Sequence, residues 1–121
     1  MVVHNAVGGA SASFLDVDPQ VLRTNFEINV MALLNLAQLV APAMIEAGAG
    51  AIVVTGNTSA LRGSPNFAGF APTKAAQRIL AESLARDLGP KGVHVAYLVI
   101  DAVIDVPWAR EMYSNAPDDF F

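Results

Sequence analysis

The chain has 121 residues, 54% of them hydrophobic and 15% charged, with a mean hydropathy of +0.44, so disorder is excluded and one domain, 1–121, is the expected organisation. Eleven acidic against seven basic residues give a net charge of −4 and a pI near 4.8, the wrong sign for a nucleic-acid binder. The absence of cysteine excludes disulfides, thiolate metal sites and a cysteine nucleophile. The apolar share exceeds the ~45–50% of soluble domains, which predicts that a partner subunit or a missing segment covers part of the hydrophobic surface.

Met1-Val2-Val3 reads as a possible first strand, and the N-terminus lacks the basic region and apolar core of a secretion signal. No uninterrupted apolar run approaches the ~18 residues of a membrane span, so a cytoplasmic chain without membrane contact is expected. Asp18-Pro19 forms an N-cap followed by proline in the first turn, and Leu22, Phe26, Val30, Leu33, Leu34, Ala37, Val40, Ala41, Met44 and Ile45 then recur at helical spacing as far as Gly48. Pro42 predicts a kink or an early end within that helix. Ala51–Thr55 is a β-branched run of the kind buried on both faces in a parallel sheet. A Gly-, Ser-, Asn- and Pro-rich loop follows, from Gly56 to about Asn66.

A second helix is predicted to begin between Phe67 and Pro72 and to stop at Gly89-Pro90, and Val93–Ile100 reads as another buried strand. The order strand, helix, strand, helix, strand predicts an α/β fold: a partial, Rossmann-like, doubly wound parallel sheet of about three strands with two long helices. The tail from Asp105 to Phe121 is weakly patterned and carries no assigned element. Its Pro107, Trp108, Tyr113, Phe120 and Phe121 read either as an apolar flap or as exposed hydrophobes.

Ligands of open parallel sheets bind beyond the C-terminal ends of the strands, which singles out His4-Asn5, Gly56–Ser59 and Asp101–Asp105. Asn29 and Lys74 join them from the helices. From pattern alone, Asn29 reads equally as a helix-interior amide bonded to a neighbouring carbonyl, and Lys74 as a solvated head on an apolar stem. Asp101 and Asp105 suit a surface or capping role. Gly8-Gly9 lacks the G-x-G-x-x-G spacing and reads as turn glycines, and no other segment forms a phosphate cradle. His4 and His94 lack a third ligand at metal-site spacing, so no metal is expected.

Taken together, these segments resemble the short-chain dehydrogenase/reductase family over about the first 105 residues. Val2–Gly8 is similar to the family's L-V-N-N-A-G stretch, Asn29-Val30-Met31-Ala32 to its N-V-x-G element, and Phe70–Ala76 stands in the place of Y-x-x-x-K-A-A. The resemblance implies hydride transfer between NAD or NADP and a carbonyl or alcohol carbon, the cofactor supplying the hydride and the protein orientation and proton transfer. It assigns Lys74 to the nicotinamide ribose and to the electrostatics of the proton donor, and Asn29 to a water in a proton relay. Asn5, Ala6 and Asp101 fall where further cofactor contacts are made.

The sequence departs from the family at Phe70 and Asn57, and also where Ile100-Asp101 replaces an expected Pro-Gly and Asp105 an expected Thr. Phe70 stands in place of the proton-donating tyrosine and has no ionisable hydroxyl; Asn57, thirteen residues earlier, stands in place of the serine and can still donate a hydrogen bond to a carbonyl oxygen. The family's T-G-x-x-x-G-x-G loop has no counterpart, so the chain resembles the C-terminal half of a member and is expected to be a fragment. The family's subunit interface implies a homo-oligomer through Leu22–Ile45 and Ala75–Leu88. Two readings of function follow: an NAD(P)-dependent oxidoreductase in its intact form, or a catalytically degenerate or truncated member serving as a dimerisation or ligand-binding module.

Overall fold

In a computed structural model that describes residues 1–120, strands β1 (Val2–His4), β2 (Gly50–Asn57) and β3 (Val93–Ile100) form one parallel sheet in the order β1-β2-β3. Val2 pairs with Ile52, Gly50 with Val93 and Asn57 with Ile100, so all three C-terminal ends lie along one edge. The helical segments between them are α1 (Pro19–Phe26), a π-helical turn (Glu27–Met31), α2 (Ala32–Ala47) and α3 (Ala71–Leu88). This is the Rossmann-like arrangement expected from the sequence. β2 outruns its predicted end, because Gly56 and Asn57 stay in register with Val99 and Ile100.

Alternation along the strands puts Ile52, Val54, Val93 and Val95 on one face, where they pack with Leu33, Ala37 and Ala41 of α2 and Ala81 and Leu88 of α3. Leu33, Ile52 and Val54 are fully buried; removing a side chain of this size from water contributes roughly 1.5–3 kcal/mol. On the opposite face Val3 and Leu98 stay about half exposed, at 51% and 47%. Among the described residues no long helix covers that second face, so helices cover the sheet on one side, as in part of a doubly wound fold.

The Asp18 carboxylate accepts from the Gln20 backbone N–H at 2.8 Å and caps α1, as predicted. Pro42 does not bring the early end that was one of the two expectations: α2 continues to Ala47 and stops at Gly48 in the left-handed region (φ 62°). Pro42 lies on the exposed side, where its missing N–H leaves no buried group unpaired. The departure from α geometry falls earlier, at the π turn. Asn25 and Leu33 are eight residues apart, about 80° out of alignment in a regular α-helix; the extra residue absorbed by the turn reduces this to about 20° and keeps both on the core side.

By length and composition alone, the continuous helical run Pro19–Ala47 could cross a membrane, which reading uninterrupted apolar runs did not anticipate. Its buried stripe packs on β2 and includes two asparagines. Gly92 (φ 84°) turns the chain into β3, and a Cβ there would lie 2.2 Å from the Gly48 carbonyl oxygen. The tail that carried no assigned element holds a short helix, α4 (Pro107–Met112), and a turn of 3-10 helix at Asp118–Phe120. Trp108 is 62% exposed and Tyr113 stacks obliquely on Phe120, while Phe121 lies outside the described residues.

Candidate functional site

A continuous chain of hydrogen bonds runs beneath the C-terminal edge of the sheet and across the N-terminal half of α3. The π turn delivers Asn29, fully buried, against the loop after β1. Its Oδ1 accepts from the Gly8 backbone N–H at 3.0 Å, and its Nδ2 donates to the Gly8 carbonyl at 2.9 Å and to Thr73 Oγ1 at 2.8 Å. Thr73 in turn donates to the Phe70 carbonyl at 2.7 Å, which ties the first turn of α3 to the same loop. Asn29 is thus a buried structural amide, but its partner is a peptide 21 residues away rather than a neighbouring helix carbonyl. All its hydrogen-bonding atoms are committed, as burial requires.

Lys74 is the main correction to the pattern-based reading. Its side chain is not a solvated head: the residue is 2% exposed, and Nζ donates to the Thr55 carbonyl at 3.1 Å and to Gln77 Oε1 at 2.5 Å. Gln77 Nε2 donates onward to the Asn29 carbonyl at 2.6 Å. Burial without a neighbouring carboxylate pushes the Lys74 ammonium down to about 8. Thr55 Oγ1 donates to Asn5 Oδ1 at 2.7 Å, so Asn5, Thr55, Lys74, Gln77, Asn29 and Thr73 form one connected set.

Of the other residues expected at the site, Asn57 lies at the C-terminal end of β2, where its Oδ1 accepts from Ser59 N at 3.2 Å and caps a 3-10 turn. Its Nδ2 donor is not part of that cap. Phe70 is the residue before α3, and its ring is buried against Gly9 and inclined to Phe67. Ala6 and Asp101 are exposed at the ends of β1 and β3, outside the connected set. Asp105 is drawn into a two-pronged pair with Arg110, at 2.6 and 3.0 Å, whose guanidinium holds its carboxyl below the usual range.

Sequence reasoning missed Gln77, Thr55, Thr73 and Tyr97. Gln77 was the most accessible of these, as an uncharged polar residue three positions after Lys74 and therefore on the same side of the helix. Tyr97 reaches the set from β3, its hydroxyl 3.4 Å from both the Lys74 carbonyl and Gln77 Oε1, and burial pushes its phenol up to about 12. That phenol is held protonated under the helix and does not stand in for the hydroxyl Phe70 lacks. Gly56 makes room for it, since a Cβ there would lie about 2.1 Å from the ring. Gly8 likewise serves close approach, to Asn25 and Ile28, rather than a positive-φ turn.

His4 ends β1 with its Nε2 buried and unpartnered, and desolvation followed by the charge of Lys74 lowers its pKa. A cavity of about 670 Å³ lies elsewhere, between the 59–68 loop and the Ala71, Ala75 and Arg78 side of α3. It does not open onto Lys74.

The parallel sheet with its helical crossovers defines a Rossmann-like α/β protein, with a buried lysine near the ends of its strands. The short chain dehydrogenase family model matches residues 1–115, and the chain belongs to that family. It is 34% identical over 104 residues to the 7alpha-hydroxysteroid dehydrogenase of Escherichia coli, covering 86% of this chain and 40% of that protein. It is 31% identical over 116 residues to the L-xylulose reductase of Mus musculus, covering 95% of this chain and 47% of the relative. The structure of an NAD⁺-bound xylitol dehydrogenase superposes with a TM-score of 0.83 at 26% identity, over 91% of this chain and 43% of the other. The chain therefore spans less than half the length of the curated relatives it matches.

Proposed function

We propose that the chain supplies the nicotinamide side of an NAD- or NADP-dependent oxidoreductase acting on a carbonyl or alcohol carbon. The observation that carries this reading is Lys74: a buried ammonium at the C-terminal edge of a parallel sheet, held only by neutral acceptors. An ammonium has three donors, and two of them reach Thr55 O and Gln77 Oε1. The third suits a sugar hydroxyl. Asn5, Ala6 and Asp101 line the exposed edge beside it, so the residues present fit the nicotinamide and ribose end of the cofactor. The xylitol dehydrogenase with bound NAD⁺ supports the same reading by likeness.

The bound cofactor would supply the hydride. Lys74 would bind the ribose and bias the local potential toward anionic groups, while Asn29 holds the loop after β1 and, through its carbonyl, the Gln77 amide. Asn57 Nδ2 would polarise the substrate oxygen as a hydrogen-bond donor. Phe70 offers a wall and no proton, which favours a second reading: a ligand-binding or dimerisation module without turnover. Leu22, Phe26, Leu39, Ile45 and Ile79 leave apolar surface exposed on the two long helices and support assembly with a second copy.

The test is a titration with reduced nicotinamide mononucleotide, which presents nicotinamide and ribose without the adenylate half. Saturable perturbation of the Lys74 ε-methylene resonance is expected, and Lys74→Met should weaken the binding read from the mononucleotide's own fluorescence. No perturbation by the mononucleotide, NADH or NADPH at millimolar concentration would overturn cofactor binding under both readings.

A further inference from the structure

We propose that Gln77 is the positioning residue for Lys74, holding its ammonium against the Thr55 carbonyl while leaving its charge uncompensated. The functional meaning of this rests on the cofactor-side reading of Lys74, but the geometry does not. Gln77 is fully buried and sits between two groups of opposite demand: Lys74 Nζ, which only donates, and the Asn29 carbonyl, which only accepts. Turned over, the amide would set donor against donor and acceptor against acceptor. The two flanking groups therefore fix which way the amide points, and Oε1 faces Lys74.

No other side chain of similar size does the same. Leucine would leave the Asn29 carbonyl without its donor and Lys74 with one acceptor. Glutamate would neutralise the ammonium and set an acceptor against Asn29 O. The amide satisfies both neighbours and adds no charge, so the ammonium keeps its attraction for an electron-rich partner. The titratable groups around Lys74 are His4 on β1 and Tyr97 on β3, with Arg78 farther along α3 facing Tyr97; none is a carboxylate. Gln77 also anchors the lysine to the π turn, because its other end is bonded to Asn29 itself.

The experiment uses the full 121-residue chain, which has only two lysines, Lys74 and Lys91. With ε-¹³C-lysine labelling and Lys91→Arg as the background, a single resonance reports the Lys74 titration. Gln77→Glu is expected to raise its midpoint by at least about one pH unit, and Gln77→Leu to lower it. In the unsubstituted chain the Gln77 side-chain amide protons are expected to exchange slowly and to show contacts to the Lys74 ε-methylene, unlike those of exposed Gln20 and Gln38. Fast exchange there, or an unmoved midpoint in whichever variants fold, would overturn the proposal. Shifted midpoints in a chain that ignores the mononucleotide would sink the cofactor reading and leave Gln77 in its place.

Discussion

Two hydrogen-bonded clusters in this molecule are alike on paper and opposite in setting. One runs from Asn5 through Lys74 and Gln77 to Asn29 and lies largely out of water; the other joins Arg110 to Asp105 and Asp118 at the surface of the tail. The tail pairs are short, between 2.6 and 3.1 Å, yet water solvates every partner when they open. In the inner set, breaking a bond strands a buried polar group. Length does not rank these interactions; the cost of the broken state does.

Asn29→Leu gives the largest expected effect. It leaves the Gly8 N–H and the Gly8 carbonyl without their Asn29 partners and removes the donor to Thr73 Oγ1, and a loss of about 3 kcal/mol in urea unfolding is expected. A loss under about 1 kcal/mol would mean that the loop repacks or that water replaces the amide.

Lys74→Met comes next, and its signature is a change in pH dependence. The folded ammonium ionises near 8 against an unfolded value of 10.5, so between those values the unfolded chain binds more protons and stability rises with pH. The full rise would be roughly 3 kcal/mol, the burial penalty released as Lys74 becomes neutral. Tyr97 has the opposite sign: its folded phenol is pushed up to about 12, so the stability it contributes is lost as pH climbs from 10. A stability maximum near pH 10 is expected, and Lys74→Met should remove the rising limb while leaving the falling one. A rising limb that persists in the variant would assign it to another group.

Arg110→Ala is the smallest. Its partners are about half exposed or more, and no change in the urea midpoint is expected. A measurable loss would mean that the tail is held more firmly than its exposure implies.

The strands, the two long helices and their parallel order were legible in the sequence because alternation, glycine stops and an Asp-Pro start are local signals. So were Asn29 and Lys74, as polar residues interrupting apolar faces. Lys74's burial was not legible, since depth depends on α3 lying over Thr55, nineteen residues away in sequence. The π turn was equally hidden: a one-residue excess leaves the hydrophobic spacing within the scatter of a regular helix. Gln77 stood in view, but its importance comes from a carbonyl 48 positions distant.

The widened turn at Glu27–Met31 also bears on how this chain tolerates insertion and deletion. A helix that has locally absorbed one extra residue can give it back, closing into regular α geometry while Asn25 and the Leu33, Ala37, Ala41 stripe keep their faces. Shortening the chain by one residue here would thus be far milder for the fold than the same change in the middle of α2. The site would not be spared, because the residue presented to Gly8 and Gln77 would change. At this turn the length of the chain and the identity of the site are coupled.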